Sequence, residues 1–360
     1  MASKQAMNKI LIVMAVVLAL ALLQGCAQES KVIKIGVIAP LTGPAATFGN
    51  SLVKGIELAQ ADLGAEKSKF VLVIEDDQSK PANSATAAQK LIEVDQVDAI
   101  ITTTSGTGNA VRPLAEAAKV LHICVCSDPK VANGTFQFTH LVLSEDEAHA
   151  WVAEAKKQGI AKVAIVSQIH PGINAIVDAV KKELVVEGLS LVAEERFAPE
   201  TTDFQTIFLK AQQGNPDIFL VIAFPPSIDL IGQAHNELGI KQPISGVATF
   251  ALSAKPELFE GDWFIDAALV DPEFAQRFAV QFPGVKFNAR TAPFGFDAFN
   301  MLVDAFESEV PVDYLNQLDA YTGKVGTSAK TSEGRFRSIP GIWKVEQGKI
   351  AFIRQSELAS

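Results

Sequence analysis

Cysteine is scarce: Cys26, Cys124 and Cys126 are the only three in 360 residues. The i, i+2 spacing of the last two on an expected strand sends both side chains to one face in poor bonding geometry. No disulfide framework is therefore expected, and stability has to come from the core. Charge is also sparse, at 20% Asp, Glu, Lys and Arg, and its balance is acidic, 31 Lys+Arg against 41 Asp+Glu. A net charge of −10 repels a phosphate backbone, which removes nucleic acid from the expected partners. His122, His140, His149, His170 and His235 form no HExxH pair and no CxxC occurs, so no metal is expected. Gly106-x-Gly108 lacks the third glycine of a dinucleotide loop, because Val111 occupies that place, and Ser105 sits in neither a GxSxG nor a Walker sequence. No cofactor and no enzymatic activity are expected. What the chain does have is apolar material, 48% of its residues, which excludes disorder.

The uncharged run Ile10 to Leu23 follows Lys4 and Lys9 and is 14 residues long. That is short for a spanning helix but has the length of the apolar core of a secretory leader. It ends in Leu22-Leu-Gln-Gly-Cys26, which resembles the bacterial lipobox. The resemblance implies cleavage before Cys26, residues 1–25 being the signal peptide, and lipidation of the Cys26 thiol. The expected location is outside the cytoplasm, on the membrane, facing the periplasm or cell exterior.

From Val32 onward short aliphatic runs alternate with helical periodicity. Val32–Ile38, Phe70–Ile74, Ala99–Ile101 and Val120–Cys124 read as buried strands, with helices over Ser51–Leu63, Asn83–Val94 and Asn109–Lys119 between them. The same rhythm restarts at Glu145 and continues to Leu238. Helices over Glu273–Gln281, Ala292–Glu307 and Val312–Leu318 and strands over Gly341–Val345 and Ile350–Arg354 follow. Repeated βαβ units predict α/β architecture, with two doubly wound parallel-sheet lobes and a site between them at the carboxyl ends of the strands.

Within that frame the hydroxyl-rich loop Thr102-Thr-Thr-Ser-Gly-Thr107 leaves a strand and enters a helix. Its free N–H groups and the positive helix end suit a carboxylate, and a plain helix cap accounts for part of the same pattern. Asp76-Asp77 precede Ser79-Lys-Pro81 and read as turn and cap residues.

Ile33-Lys-Ile-Gly-Val-Ile-Ala-Pro-Leu-Thr-Gly-Pro-Ala-Ala-Thr-Phe-Gly49, followed by Gly55-Ile-Glu-Leu-Ala59, resembles the opening of the branched-chain amino-acid-binding proteins of ABC transporters, which have the type I periplasmic binding protein fold. Asp76-Asp-Gln-Ser-Lys-Pro81, Val97-Asp-Ala-Ile-Ile101, Thr104-Ser-Gly106, Phe296-Asp-Ala-Phe-Asn-Met-Leu302 and Trp343-Lys-Val-Glu-Gln-Gly-Lys349 extend the resemblance in order. It implies three hinge crossings near 141–143, 267–270 and 335–339, with lobe I at 31–141 plus 271–334 and lobe II at 142–270 plus 335–360. It also implies a monomer that captures a small amino acid or related molecule and passes it to an ABC permease. The rival readings are a sensory ectodomain and a hydrolase of the cleft.

The site that the resemblance implies comprises Phe48, Thr103, Thr104, Ser105, Cys126, Asp128, His170 and Phe224. In relatives a Ser at Ser105, the backbone at Cys126 and a Thr at Asp128 hold the carboxylate and ammonium of the ligand. Three positions depart from that pattern. His170 stands near an expected aromatic, Ala248 replaces an acidic ammonium anchor, and Asp128 brings a carboxylate that would repel an acid and attract an amine. Asp128 is therefore expected to take the ammonium, with a turn cap before Pro129 as the competing reading. For Phe48 and Cys126 the competing readings are simple core and an inert thiol.

Overall fold

The computed structural model describes residues 32–356. The expected leader and Cys26 lie outside the described residues. Among the described residues no helix is long and apolar enough to cross a membrane.

The first strands are aliphatic and β-branched, and each is followed by a helix. In chain order they are β1 (Ile33–Ala39), α1 (Ala46–Asp62), β2 (Phe70–Asp76), α2 (Pro81–Gln89), β3 (Ala99–Thr103), α3 (Ser105–Ala118), β4 (Leu121–Val125) and β5 (Gln137–Leu141). These strands pair in parallel in the order β2-β1-β3-β4-β5. β3 and β4 are buried throughout, as strands covered by helices on both faces must be.

The second series is α4 (Ser144–Lys157), β6 (Lys162–Gln168), α5 (Pro171–Glu187), β7 (Ser190–Phe197), α6 (Phe204–Gln212), β8 (Ile218–Ile222), α7 (Ser227–Glu237), β9 (Ile244–Val247) and β10 (Trp263–Ala267). It repeats the arrangement with the order β7-β6-β8-β9-β10. The chain then returns through α8 (Pro272–Gln281), α9 (Ala292–Glu307), α10 (Pro311–Gln317), β11 (Ala320–Gly323), β12 (Gly326–Lys330) and β13 (Arg335–Arg337) to complete an eight-stranded first sheet. It ends in β14 (Pro340–Glu346) and β15 (Lys349–Gln355), which complete a seven-stranded second sheet.

The two-lobed α/β fold stands, with three differences from the expectation. The sheets are mixed, because β11-β12-β13 and β10-β14-β15 pair antiparallel. Arg335–Arg337, expected in a crossing, pairs with Thr139–Leu141 in the first sheet, so the passage to β14 narrows to Ser338 and Ile339. The third difference is at the cysteines. Cys126 lies just past the end of β4, where the backbone leaves the strand, and with Cα atoms 5.3 Å apart its sulfur is joined to that of Cys124 as a disulfide.

Helix α9 is buried nearly all round, from Ala292 to Ala305, and packs on α1. At Gly55 a Cβ would fall 2.0 Å from the Ala292 carbonyl oxygen, so only glycine admits this approach. Asp297, fully buried on α9, accepts from the N–H groups of Lys324 (2.8 Å) and Val325 (3.0 Å) and ties β11–β12 to the core.

Both sheets share the order in which sequential helices change face beside the first strand of the series. A crevice opens at such a switch point, beyond the carboxyl ends of the central strands. Segments that follow β1, β3 and β4 on one sheet, and β6, β8 and β9 on the other, therefore converge on one space.

Candidate functional site

That space is a cavity with about 50 Å³ open to the centre of a water molecule. The first-sheet side supplies Phe48 from α1, Thr103, Thr104 and Ser105 after β3, and Cys126 and Ser127 after β4. The second-sheet side supplies His170 and Gly172 after β6, Phe224 after β8 and Ala248 after β9. Seven of the eight expected ligand residues are thus brought together.

Asp128 is the exception. Its Oδ1 accepts from the Lys130 N–H (3.0 Å) and its Oδ2 from Asn109 Nδ2 (2.8 Å), and its carboxylate borders a separate groove with Glu145 and Lys182. The turn into Pro129 captures this side chain locally, as short acidic side chains before a turn do. In this arrangement Asp128 is the turn cap before Pro129, the competing reading of the sequence.

Thr104, with φ at +70°, is the N-cap of α3, and its Oγ1 accepts from the Thr107 N–H (3.3 Å). This left-handed conformation is costly for threonine and has to be held from outside. The holding group is Asp77, fully buried, whose Oδ2 accepts from Thr107 Oγ1 and from Ser84 Oγ (2.7 Å). Asp76 does the same for the loop after β1, accepting from Thr42 Oγ1 (2.6 Å) and the Leu41 N–H (2.9 Å). Ser105 Oγ accepts from the Asp128 N–H (3.3 Å), so its own proton is left to donate.

His170 caps α5, its Nδ1 accepting from the Gly172 N–H (3.2 Å). That bond selects the tautomer with the proton on Nε2, and burial pushes the imidazole down to about 4. At neutral pH it is an uncharged donor. A Cβ on Gly172 would lie 3.3 Å from Ser105 Oγ, and one on Gly106 would lie 3.6 Å from His170 Nε2. The first turns of α3 and α5 therefore meet across the cavity with their positive ends, the Thr107 and Gly172 N–H groups being taken up by the caps Thr104 and His170.

The apolar wall is aromatic. Phe224 meets Phe48 edge-on at 6.1 Å between centroids and His170 at 5.1 Å, which joins the two sides. Ile173, Ile176, Val125 and Leu141 complete it. Ala248 is held at φ +64°, a conformation unfavourable for alanine, where the chain leaves β9 at the cavity rim.

Sequence reasoning missed Arg290 and Thr291, which line the cavity from the turn before α9. Arg290 is 4% exposed, and its Nη1 donates to Glu147 on α4 and to Asp266 on β10 (3.1 Å). The guanidinium holds the carboxylates toward their charged forms, but burial dominates. It pushes Glu147 up to about 7 and Asp266 upward as well. With Arg337 on β13 donating to Asp146 on α4 (3.1 Å), charged pairs tie the first-sheet side to the second near the crossings. Nothing in the pattern around Asn288-Ala-Arg-Thr291 distinguishes this arginine from a surface one.

The family model described as periplasmic binding protein matches residues 32–313. A Leu/Ile/Val-binding protein of Rhizobium johnstonii is 25% identical over 222 residues, covering 59% of this chain and 60% of that protein. The chain thus spans about three fifths of the curated relative's length. Among solved structures, a leucine-binding protein of Thermotoga maritima superposes with a TM-score of 0.79 at 24% identity, covering 90% of this chain and 98% of that one. A solute-binding protein of an ABC transporter from Rhodopseudomonas palustris, in complex with 4-hydroxybenzoate, gives 0.75 at 21% identity, covering 91% and 98%. These two likenesses are likenesses of fold.

Proposed function

The chain belongs to the periplasmic binding protein family, and from that premise we propose that it captures a small amino acid or related molecule between its lobes and delivers it to an ABC permease. The observation that carries the reading is the cavity itself, whose wall is assembled from loops at the switch points of both sheets. A ligand touching both sides stabilises a closed arrangement by as much as its affinity for closed exceeds that for open. A permease can read that difference.

The proposed protein is an extracytoplasmic monomer, tethered through lipid on Cys26. A single acyl chain holds a protein weakly, and several hold it firmly. The cavity does not suit hydrolysis. His170 presents its proton on Nε2 and spends Nδ1 on Gly172, so it has no lone pair for Ser105, and no carboxylate among the lining residues orients it.

The test is native mass spectrometry of the purified protein for a co-purifying small molecule, paired with uptake of that molecule by cells with and without the gene. A bound solute whose uptake falls on deletion supports the reading. Turnover of the solute by the pure protein, or unchanged uptake, refutes it.

A further inference from the structure

We infer that the cavity selects a small carboxylate without an amino group, its anion held between the N-termini of α3 and α5 with Arg290 as counter-charge. This narrows the ligand class of the solute-binding reading and rests on it.

The residues lining the cavity include one full cation, Arg290, and no Asp or Glu. The acid nearest in sequence, Asp128, is turned into its own cap, and the rim position at Ala248 carries a methyl group. An ammonium entering this space would lose its water, meet no carboxylate and face a guanidinium and two positive helix ends. A carboxylate meets the opposite situation.

Donors converge on the same space. Ser105 has a hydroxyl proton to give and His170 has its Nε2 proton. Arg290 is the strongest of them. Among the described residues only its Nη1 has protein partners, while the N–H groups of Nε and Nη2 have none, although the side chain is almost wholly buried. Buried guanidinium donors are ordinarily paired, and this fork matches the two oxygens of a carboxylate. Glu147 and Asp266 do not line the cavity, and they brace the guanidinium through Nη1 only.

The rest of the wall is hydrocarbon, with Phe48, Phe224, Ile173 and Ile176 facing the body of the ligand. An aliphatic or aromatic chain ending in a single carboxylate satisfies both halves of the cavity.

Titration calorimetry near neutral pH with leucine, 4-methyl-2-oxopentanoate, 4-methylpentanoate, benzoate and 3-methylbutylamine tests the inference on the unaltered protein. At least one amine-free acid is expected to bind tenfold or more tighter than leucine, with no binding of the amine. Ser105→Ala and, separately, Arg290→Lys are each expected to weaken that acid at least tenfold. Arg290→Lys keeps the charge against Glu147 and Asp266 but removes the fork, and Ser105→Ala provides the answer if the lysine variant does not fold. Leucine binding as tightly as the acids, or the amine binding at all, overturns the inference and leaves the solute-binding reading intact. Absence of binding by every acid also overturns it, and a co-purifying solute of another class then keeps the broader reading alive.

Discussion

Replacing Glu147 with glutamine isolates a proton that the fold holds. Glu147 is fully buried on α4, where its neighbours are Arg290 from the turn before α9, Asp266 on β10 and Asp146 on its own helix. Burial pushes it from an ordinary 4.5 up to about 7, the guanidinium opposing this and the two acids adding to it. The folded state therefore binds more protons than the unfolded chain between those values, and stability must fall as pH rises across them. The stabilising contribution is fully present below about 4.5 and is lost as the pH climbs to and through about 7. At 1.36 kcal/mol per pH unit, a gap from 4.5 to about 7 amounts to about 3 kcal/mol. Glu147→Gln removes the titration while keeping the acceptor for Arg290, and Oε2 has no hydrogen-bond partner whose loss would confuse the comparison. Urea unfolding of both proteins from about pH 5 to about pH 8 gives the difference in stability directly. The wild type is expected to lose about 2 to 3 kcal/mol relative to the variant over that range, while acids elsewhere with lowered values, such as Asp217, cancel in the difference. A difference that stays constant within about 0.5 kcal/mol would show that Glu147 is charged throughout, and would refute the argument from burial.

Gly55→Ala drives a methyl group into the Ala292 carbonyl oxygen at 2.0 Å, so helices α1 and α9 must separate. Thermal unfolding should show a loss of about 3 kcal/mol or more, and an unchanged midpoint would mean that the two helices are not held at this distance. Phe224→Ala removes the ring that meets both Phe48 and His170 across the cavity. Affinity for a ligand with a hydrocarbon body should drop by about 2 kcal/mol, roughly thirtyfold by calorimetry, and equal binding would place the ligand elsewhere. Cys26→Ser should leave the protein folded and move it from the membrane fraction to the soluble one, and retention of the processed variant at the membrane would rule out a lipid tether.

The repeated βαβ rhythm was legible because strands covered on both faces need continuous aliphatic runs, and Ile33–Ala39 and Ile218–Ile222 have them. The strands that escaped have no such pattern. Ile244–Val247 is four residues long with Ser and Gly inside it, Trp263–Ala267 carries the buried Asp266, and Ala320–Gly323 at the sheet edge and Gly326–Lys330 beside it are rich in polar residues. In each case pairing with a neighbour, and not intrinsic preference, sets the conformation.

The site divides along the same line. Thr103, Thr104 and Ser105 were visible because a strand end, a cap and a helix start follow one another in sequence, and local chemistry alone specifies them. Asp128 is ambiguous in sequence for the converse reason: a turn cap and a ligand carboxylate look alike until the partner atoms, here Asn109 and the Lys130 N–H, are seen. Arg290 lies 143 residues from Glu147 and 24 from Asp266, and none of the three stands in a recognisable spacing. A burial that would be prohibitive for any one of these charges becomes tolerable only when α4, β10 and the turn before α9 bring the set together. An isolated arginine in a polar stretch reads as surface by default, so a buried arginine lining the cavity is one that only the assembled fold can reveal.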